Sequence, residues 1–384
     1  CPNVPVVGFA GDGAFGISMS EMSSCNRKEW PSITMIIFRN YQWGAEKRNS
    51  ILWFDDNFVG TELDPELSYA KVAAGCGLKG VQVRVQDELM DALKKSCEDQ
   101  KKGITTFVDF RESGLDGILL IKKALFDIPI RVVILGRIEF YQSKNQIKKN
   151  MPIPKSYLNQ LEPLLKNCDG LGISGSNENS DSALKQLSKI KEIRAIHCAE
   201  TKQSYLKSKQ TTRKTEPQRC LLLKPNFLVH MTYASKSDLR LVSKKIRGIV
   251  VCPRANASLA EGIPDIEQMM KMNCNVAIGT DNLMINSPDL FREMDFLWKV
   301  TMGIYKKRVE PKKILKMVTI NAGKLLGKKI GCIKEGYLAD AVFIKKNSLD
   351  LDPLQNPHAS IVHRANENSI KAVMIGGKIV HGKL

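Results

Sequence analysis

Ile193-Arg194-Ala195-Ile196-His197-Cys198-Ala199-Glu200 decides the fold. It is a short apolar run that ends on an imidazole and, three residues later, a carboxylate. Short, nearly continuous apolar runs of this kind suit strands buried on both faces of a parallel sheet. Polar residues at the C-terminal ends of such strands lie where α/β proteins build their sites. Working outward, similar runs occur at 104–109, 131–135 and 169–173 on one side, and at 226–230, 247–252 and 275–280 on the other. Helix-like segments separate them, including 181–190, 236–245 and 265–272. Seven β/α units result, one short of a closed (β/α)8 barrel. Helices are expected near 289–300 and 311–326, and the tail from Gly331 reads as short strands of a small β domain.

Upstream of Ile104 the pattern changes character. Residues 4–9 and 33–38 read as buried strands, the first followed by a Gly-rich turn and a helix through about Arg27. An irregular stretch follows to about Pro65, then a helix at 68–75, a strand at 81–85 and a helix at 88–99. Strands alternating with helices indicate a second parallel α/β sheet. The charge changes sign at the same place. Residues 1–100 hold 10 Lys and Arg against 14 Asp and Glu, whereas the remainder holds 48 against 26. The division expected is 1–104, 105–328 and 329–384.

The overall charge of +18 invites a nucleic-acid reading, but the excess is mostly lysine spread over helix faces. No arginine stripe interleaved with aromatics appears, so no nucleic-acid partner is expected. The longest apolar runs, such as 33–38, are too short to span a bilayer, which excludes a membrane role. Ten scattered cysteines without a Cys-x-x-Cys pair suit a reducing cytoplasm. Cys198, Cys252 and Cys274 read as buried, inert thiols. The chain opens at Cys1 directly in a strand-like run, so its natural start is expected upstream.

Gly11-Asp12-Gly13 ends the first strand, and Asn40 closes the next, 28 residues after Asp12. Neighbouring parallel strands end at one sheet edge, so the aspartate and the asparagine can converge there. A carboxylate and an amide oxygen suit an octahedral Mg²⁺ that also holds a diphosphate. The glycines let backbone N–H groups approach the phosphates. A turn of this composition also arises with no ligand, and both readings stand. The stretch resembles the diphosphate-binding domain of thiamine-diphosphate enzymes, which implies Asp12, Asn40 and the Gln42 carbonyl as magnesium ligands. The segment from Phe38 through Asn49 to Pro65 is similar to the sulfoacetaldehyde acetyltransferase family. That resemblance covers residues 1 to about 108, a small C-terminal part of such an enzyme. It omits the domain whose glutamate activates the cofactor, so thiamine diphosphate is expected to bind weakly at best.

In the second part, His197 and Glu200, His230, and Gly279-Thr280-Asp281 end three of the strands on one face. Imidazole and carboxylate there can hold a divalent ion that acidifies bound water, and Glu200 is placed to shuttle protons. Singly, each has a plain reading, since strand-end histidines are commonly hydrogen-bonded and Thr-Asp commonly caps a helix. Together they resemble the amidohydrolase superfamily, in its cytosine-deaminase and chlorohydrolase-like branch. The resemblance implies zinc or iron held by His197, His230 and Asp281, with Glu200, His230 and Asp281 catalytic on a small ring substrate. Cys252-Pro253-Arg254-Ala255-Asn256, Thr319-Ile320-Asn321-Ala322 and the run 330–341 support it.

The family's His-x-His pair at the end of the first barrel strand is missing, because His197 is the first of five histidines. The expected fold is therefore a partial thiamine-enzyme sheet domain, an incomplete barrel of strands two to eight, and a partial small β domain. The run 104–108 fits both patterns and marks the join. The metal site is expected to be incomplete and hydrolysis lost. The alternatives are a hydrolase completed by its N-terminal segment, a thiamine-dependent acetyltransferase fragment, and a non-catalytic basic binding protein. Unpaired edges on strands two and eight favour self-association.

Overall fold

The computed structural model describes residues 6–11, 15–16, 19–26, 33–39, 41, 62–64, 66–78, 102–126, 128–282 and 285–384. They fall into two compact units, Cys1–Asp99 and Gln100–Leu384, against the division at 104/105 expected from sequence. In the first unit, β1 (Val6–Gly11) and β2 (Ile33–Phe38) pair in parallel, level from Val6 opposite Ile33 to Gly11 opposite Phe38. A helix at Tyr69–Gly75 starts where Ser68 Oγ accepts the Lys71 N–H, and the Phe15 ring meets Tyr69 edge-on at 5.4 Å. A 3-10 helix spans Met19–Asn26 within the stretch expected to be helical. The strand at 81–85 and the helix at 88–99 lie outside the described residues.

The second unit is a curled half-barrel. Its strands are β3 (Thr106–Phe110), β4 (Arg131–Gly136), β5 (Gly170–Ile173), β6 (Ile193–Cys198), β7 (Phe227–His230), β8 (Gly248–Val251) and β9 (Val276–Ile278). They pair in chain order, all parallel, with β3 and β9 at the two edges. Every run read from the sequence is a strand, and each lies within about two residues of its expected position.

Side-chain alternation sorts the strands into two cores. Ile134, Ile196, Leu228 and Ile249 face the helices and pack with Ile118, Leu184, Leu187 and Leu239. Val133, Leu135, Ala195, Phe227, Val229 and Ala277 face inward. Most of these side chains are fully buried, each contributing about 1.5–3 kcal/mol. The inner core mixes large residues such as Leu135 and Phe227 with Ala195 and Ala277. Gly172 leaves the space that the Phe110 ring occupies, since a Cβ there would stand 2.4 Å from Phe110 Cδ1.

The helix expected over 311–326 is two, Pro311–Met317 and Ile320–Leu326. Thr319 leaves helical geometry, its hydroxyl bonds the Leu315 carbonyl at 2.8 Å, and the Asn321 amide reaches the Val276 carbonyl at 2.9 Å. The local Thr319 bond and the tertiary Asn321 bond together replace helix continuity here. The tail forms an antiparallel sheet of β10 (Ala341–Ile344), β11 (Ile370–Ile375) and β12 (Lys378–Gly382). The Arg131 guanidinium, at the start of β4, pairs with Asp340 just before β10, and Asp340 Oδ1 also accepts the Gly376 N–H at 2.9 Å. No helix among the described residues is long and apolar enough to cross a membrane.

Candidate active site

The polar residues at the C-terminal ends of β6, β7, β8 and β9 meet at one rim of the half-barrel. Three of them keep the inward phase of their strands, Asp281 beyond the end of β9 and at positive φ. His197 keeps phase with inward Ala195, Cys252 with Val250, and Asp281 with Ala277. Glu200 and His230 are out of phase and need a turn of the backbone. Ala199 has φ 49°, His230 φ 70°, Met231 φ 56° and Asp281 φ 59°. Non-glycine residues in this left-handed region cost energy, and such residues concentrate where side chains must be aimed.

His230 is the hub, 1% exposed. Its Nδ1 lies 3.1 Å from the Asn256 amide oxygen, and Asn256 donates in turn to Thr232 Oγ1 at 3.4 Å. With an oxygen facing it, Nδ1 carries the proton, and Nε2 turns its lone pair outward. That nitrogen stands 3.2 Å from Glu200 Oε1 and 3.9 Å from Asp281 Oδ2. Burial lowers the His230 pKa, with Asp281 and Asn256 opposing, so the imidazole is poised neutral.

Burial raises the Glu200 pKa, opposed by a hydrogen bond from Glu261 and reinforced by the charges of Asp281 and Glu216. Glu261 itself is pushed up to about 7 by burial and by Glu200 beside it. The hydrogen bond between the two carboxyls favours the proton on Glu261 and the charge on Glu200. The sequence gives no hint of Glu261. It sits in the loop behind the helix Pro253–Ser258, held by its N–H on the Asn256 carbonyl at 2.8 Å. Asn256 itself is in the stretch that carried the family resemblance.

His197 is tied back. Its Nδ1 lies 3.2 Å from the Ile173 carbonyl, and its ring packs 4.7 Å from Phe110 and 5.4 Å from the His230 ring. Burial and the neighbouring His230 lower its pKa. Among the described residues, the side chains whose ligand atoms all lie within 4.8 Å of one another are His230, Cys252 and Asp281. The structure thus gathers His230, Asp281 and Glu200, and leaves His197 outside that set. It adds Cys252, which is 2% exposed and whose thiol is pushed well above its ordinary pKa by burial. Nitrogen, sulfur and carboxylate oxygen together form a donor set that fits zinc or a similar transition ion. In the N-terminal unit, Gly11 ends β1, while Asp12, Gly13, Asn40 and Gln42 lie outside the described residues.

Comparison with known proteins separates the same two parts. A model of the amidohydrolase family matches residues 86–380. A model of the C-terminal TPP binding domain of thiamine pyrophosphate enzymes matches residues 1–110. A probable sulfoacetaldehyde acetyltransferase of Rhizobium meliloti (strain 1021) is 73% identical over 109 residues, which are 28% of this chain and 18% of that protein. The chain therefore spans only a small part of such an enzyme. A putative aminohydrolase of Methanothermobacter thermautotrophicus is 35% identical over 301 residues, covering 76% of this chain and 74% of that one. Among solved structures, a zinc-bound adenosine deaminase from Xanthomonas campestris superposes with a TM-score of 0.65 at 18% identity, over 77% of this chain and 70% of its own. A guanine deaminase from C. acetobutylicum gives 0.63 at 17% identity, over 77% of each chain. The chain belongs to the amidohydrolase family, and it is joined on its N-terminal side to a segment of a thiamine pyrophosphate enzyme's C-terminal domain.

Proposed function

We propose that the chain is built for metal-dependent hydrolysis of a C–N bond, releasing ammonia from a small amino-substituted ring. One observation carries the reading: a tautomer-fixed His230 whose Nε2 faces both Glu200 and Asp281 at the rim of an amidohydrolase half-barrel. A bound divalent ion would supply a water acidic enough to attack at neutral pH. The chain's own residues do the rest. Glu200 takes the water proton and returns it to the leaving nitrogen, its raised pKa suiting both steps. His230 Nε2 and Asp281 would face the ion, Asp281 receives a proton from the water side, and the Phe110 ring packs against His197 4.7 Å away.

The relatives' names support this chemistry, since they include 5-methylthioadenosine/S-adenosylhomocysteine deaminases of Pyrococcus. The test is ammonia release from a panel of aminopurines, aminopyrimidines and aminotriazines by the zinc-loaded chain. Release that needs the metal and falls at least about 100-fold in Glu200→Gln is the expected result; ammonia release unaffected by Glu200→Gln would refute the assignment. The competing reading is a catalytically silent fusion, supported by the missing His-x-His pair, and absence of turnover across the panel would establish it. For the N-terminal segment, Gly11, Asp12, Gly13, Asn40 and Gln42 remain the proposed magnesium–diphosphate set, supported by the family match and by the level ends of β1 and β2.

A further inference from the structure

We infer that the ion is held by Cys252 Sγ together with His230 Nε2 and an Asp281 oxygen, a set in which the thiolate takes the place of His197. The inference rests on the hydrolase reading above and specifies the ligands of the same site. Three consecutive strands supply the three atoms, because β7, β8 and β9 are neighbours in the sheet and each delivers one residue at its C-terminal end. His197 belongs to β6, one strand further round, and lies outside the group of donors that are mutually within 4.8 Å. A tetrahedral ion with bonds of about 2.0–2.3 Å needs ligand atoms about 3.3–3.8 Å apart. Atoms within 4.8 Å reach that spacing by contracting about an ångström, which side-chain rotation provides.

Each donor is prepared for the task. The His230 lone pair is exposed at Nε2 because Asn256 accepts the proton on Nδ1, the outer-shell arrangement that metal-binding histidines use. Cys252 is buried in the inner core, in phase with Val250 and not among the helix-side residues. Beside the three donors stands the Glu200 carboxyl, its Oε1 3.2 Å from His230 Nε2, while Asp281 Oδ2 is 3.9 Å from the same nitrogen. A dication would relieve that crowding of acids. Binding breaks the Cys252 S–H bond, forms a sulfur–metal bond and releases one proton to solvent. Glu200 Oε1, 3.2 Å from His230 Nε2, would then stand within reach of a water held by the ion.

The experiment is titration of the metal-stripped full-length chain with Co(II) alone, read by absorption. One cobalt per chain with a thiolate-to-cobalt charge-transfer band in the near ultraviolet is expected. The band should vanish in Cys252→Ser and persist in Cys198→Ser and Cys332→Ser. Zinc affinity, measured by competition, should fall more than about 100-fold in Cys252→Ser, since loss of an outer-shell partner alone costs 10- to 100-fold. Cadmium NMR of the unaltered chain reads a bound thiolate directly, so a variant that misfolds does not spare the inference. Stoichiometric cobalt with no thiolate band would overturn the Cys252 assignment and leave the hydrolase reading standing. A band that survives Cys252→Ser would overturn it too, and failure to bind cobalt at all would overturn both.

Discussion

Replacing Glu293 with glutamine should make the protein less sensitive to alkaline pH. Glu293 is 0% exposed in the first turn of the helix Leu290–Tyr305. Its oxygens accept from Arg254, at 3.3 Å from the backbone N–H and 3.4 Å from the guanidinium. Burial outweighs this pairing and lifts its pKa from 4.5 to about 7, with Asp289 and Asp281 adding to the rise. The folded state therefore keeps a proton that the unfolded chain has released. The corresponding stability is fully present below 4.5 and is lost as pH rises through about 7. A rise of that size corresponds to roughly 3 kcal/mol, and the partly exposed Arg254 side chain argues for about 1–3 kcal/mol in practice. Glutamine is neutral at every pH and still accepts from Arg254. Urea unfolding of the metal-free chain at pH 5.5, 6.5, 7.5 and 8.5 should show the variant gaining on the parent across the series and levelling near pH 8. A constant difference between the two curves would refute the reasoning.

Two other substitutions probe packing. Leu184→Ala empties a 0% exposed position in the helix-side core and should cost about 2–5 kcal/mol by urea unfolding. Gly170→Ala places a Cβ 2.0 Å from the Ile193 carbonyl oxygen, so β5 and β6 must part; a loss of about 3 kcal/mol or more, with reduced soluble yield, is expected.

The seven barrel strands were legible because each is buried on both faces, which leaves an uninterrupted apolar run between turn residues. The break at Thr319 was not, because the Asn321 amide beside it anchors on the Val276 carbonyl of β9, far away in sequence. The same contrast holds at the site. His230, Glu200 and Asp281 announce themselves as polar residues at the ends of apolar strands, and the structure brings them together. Cys252 read as an inert thiol, since a cysteine in an apolar stretch has the same composition whether its neighbours are leucines or an imidazole and a carboxylate. Only the order of β7, β8 and β9 distinguishes the cases. Glu261 follows Asn256 by five residues in a polar stretch that looks like an ordinary helix exit. Its approach to Glu200 depends on a backbone reversal through Ala260 and Gly262, both at positive φ.

The four corners at Ala199, His230, Met231 and Asp281 bear on how the rim is maintained. A chain released from chemistry loses nothing by placing glycine at such corners and relieves about 1–2 kcal/mol at each. This chain keeps alanine, histidine, methionine and aspartate in those conformations. The rim that gathers Glu200, His230 and Asp281 is thus held at a standing conformational expense borne by the rest of the barrel.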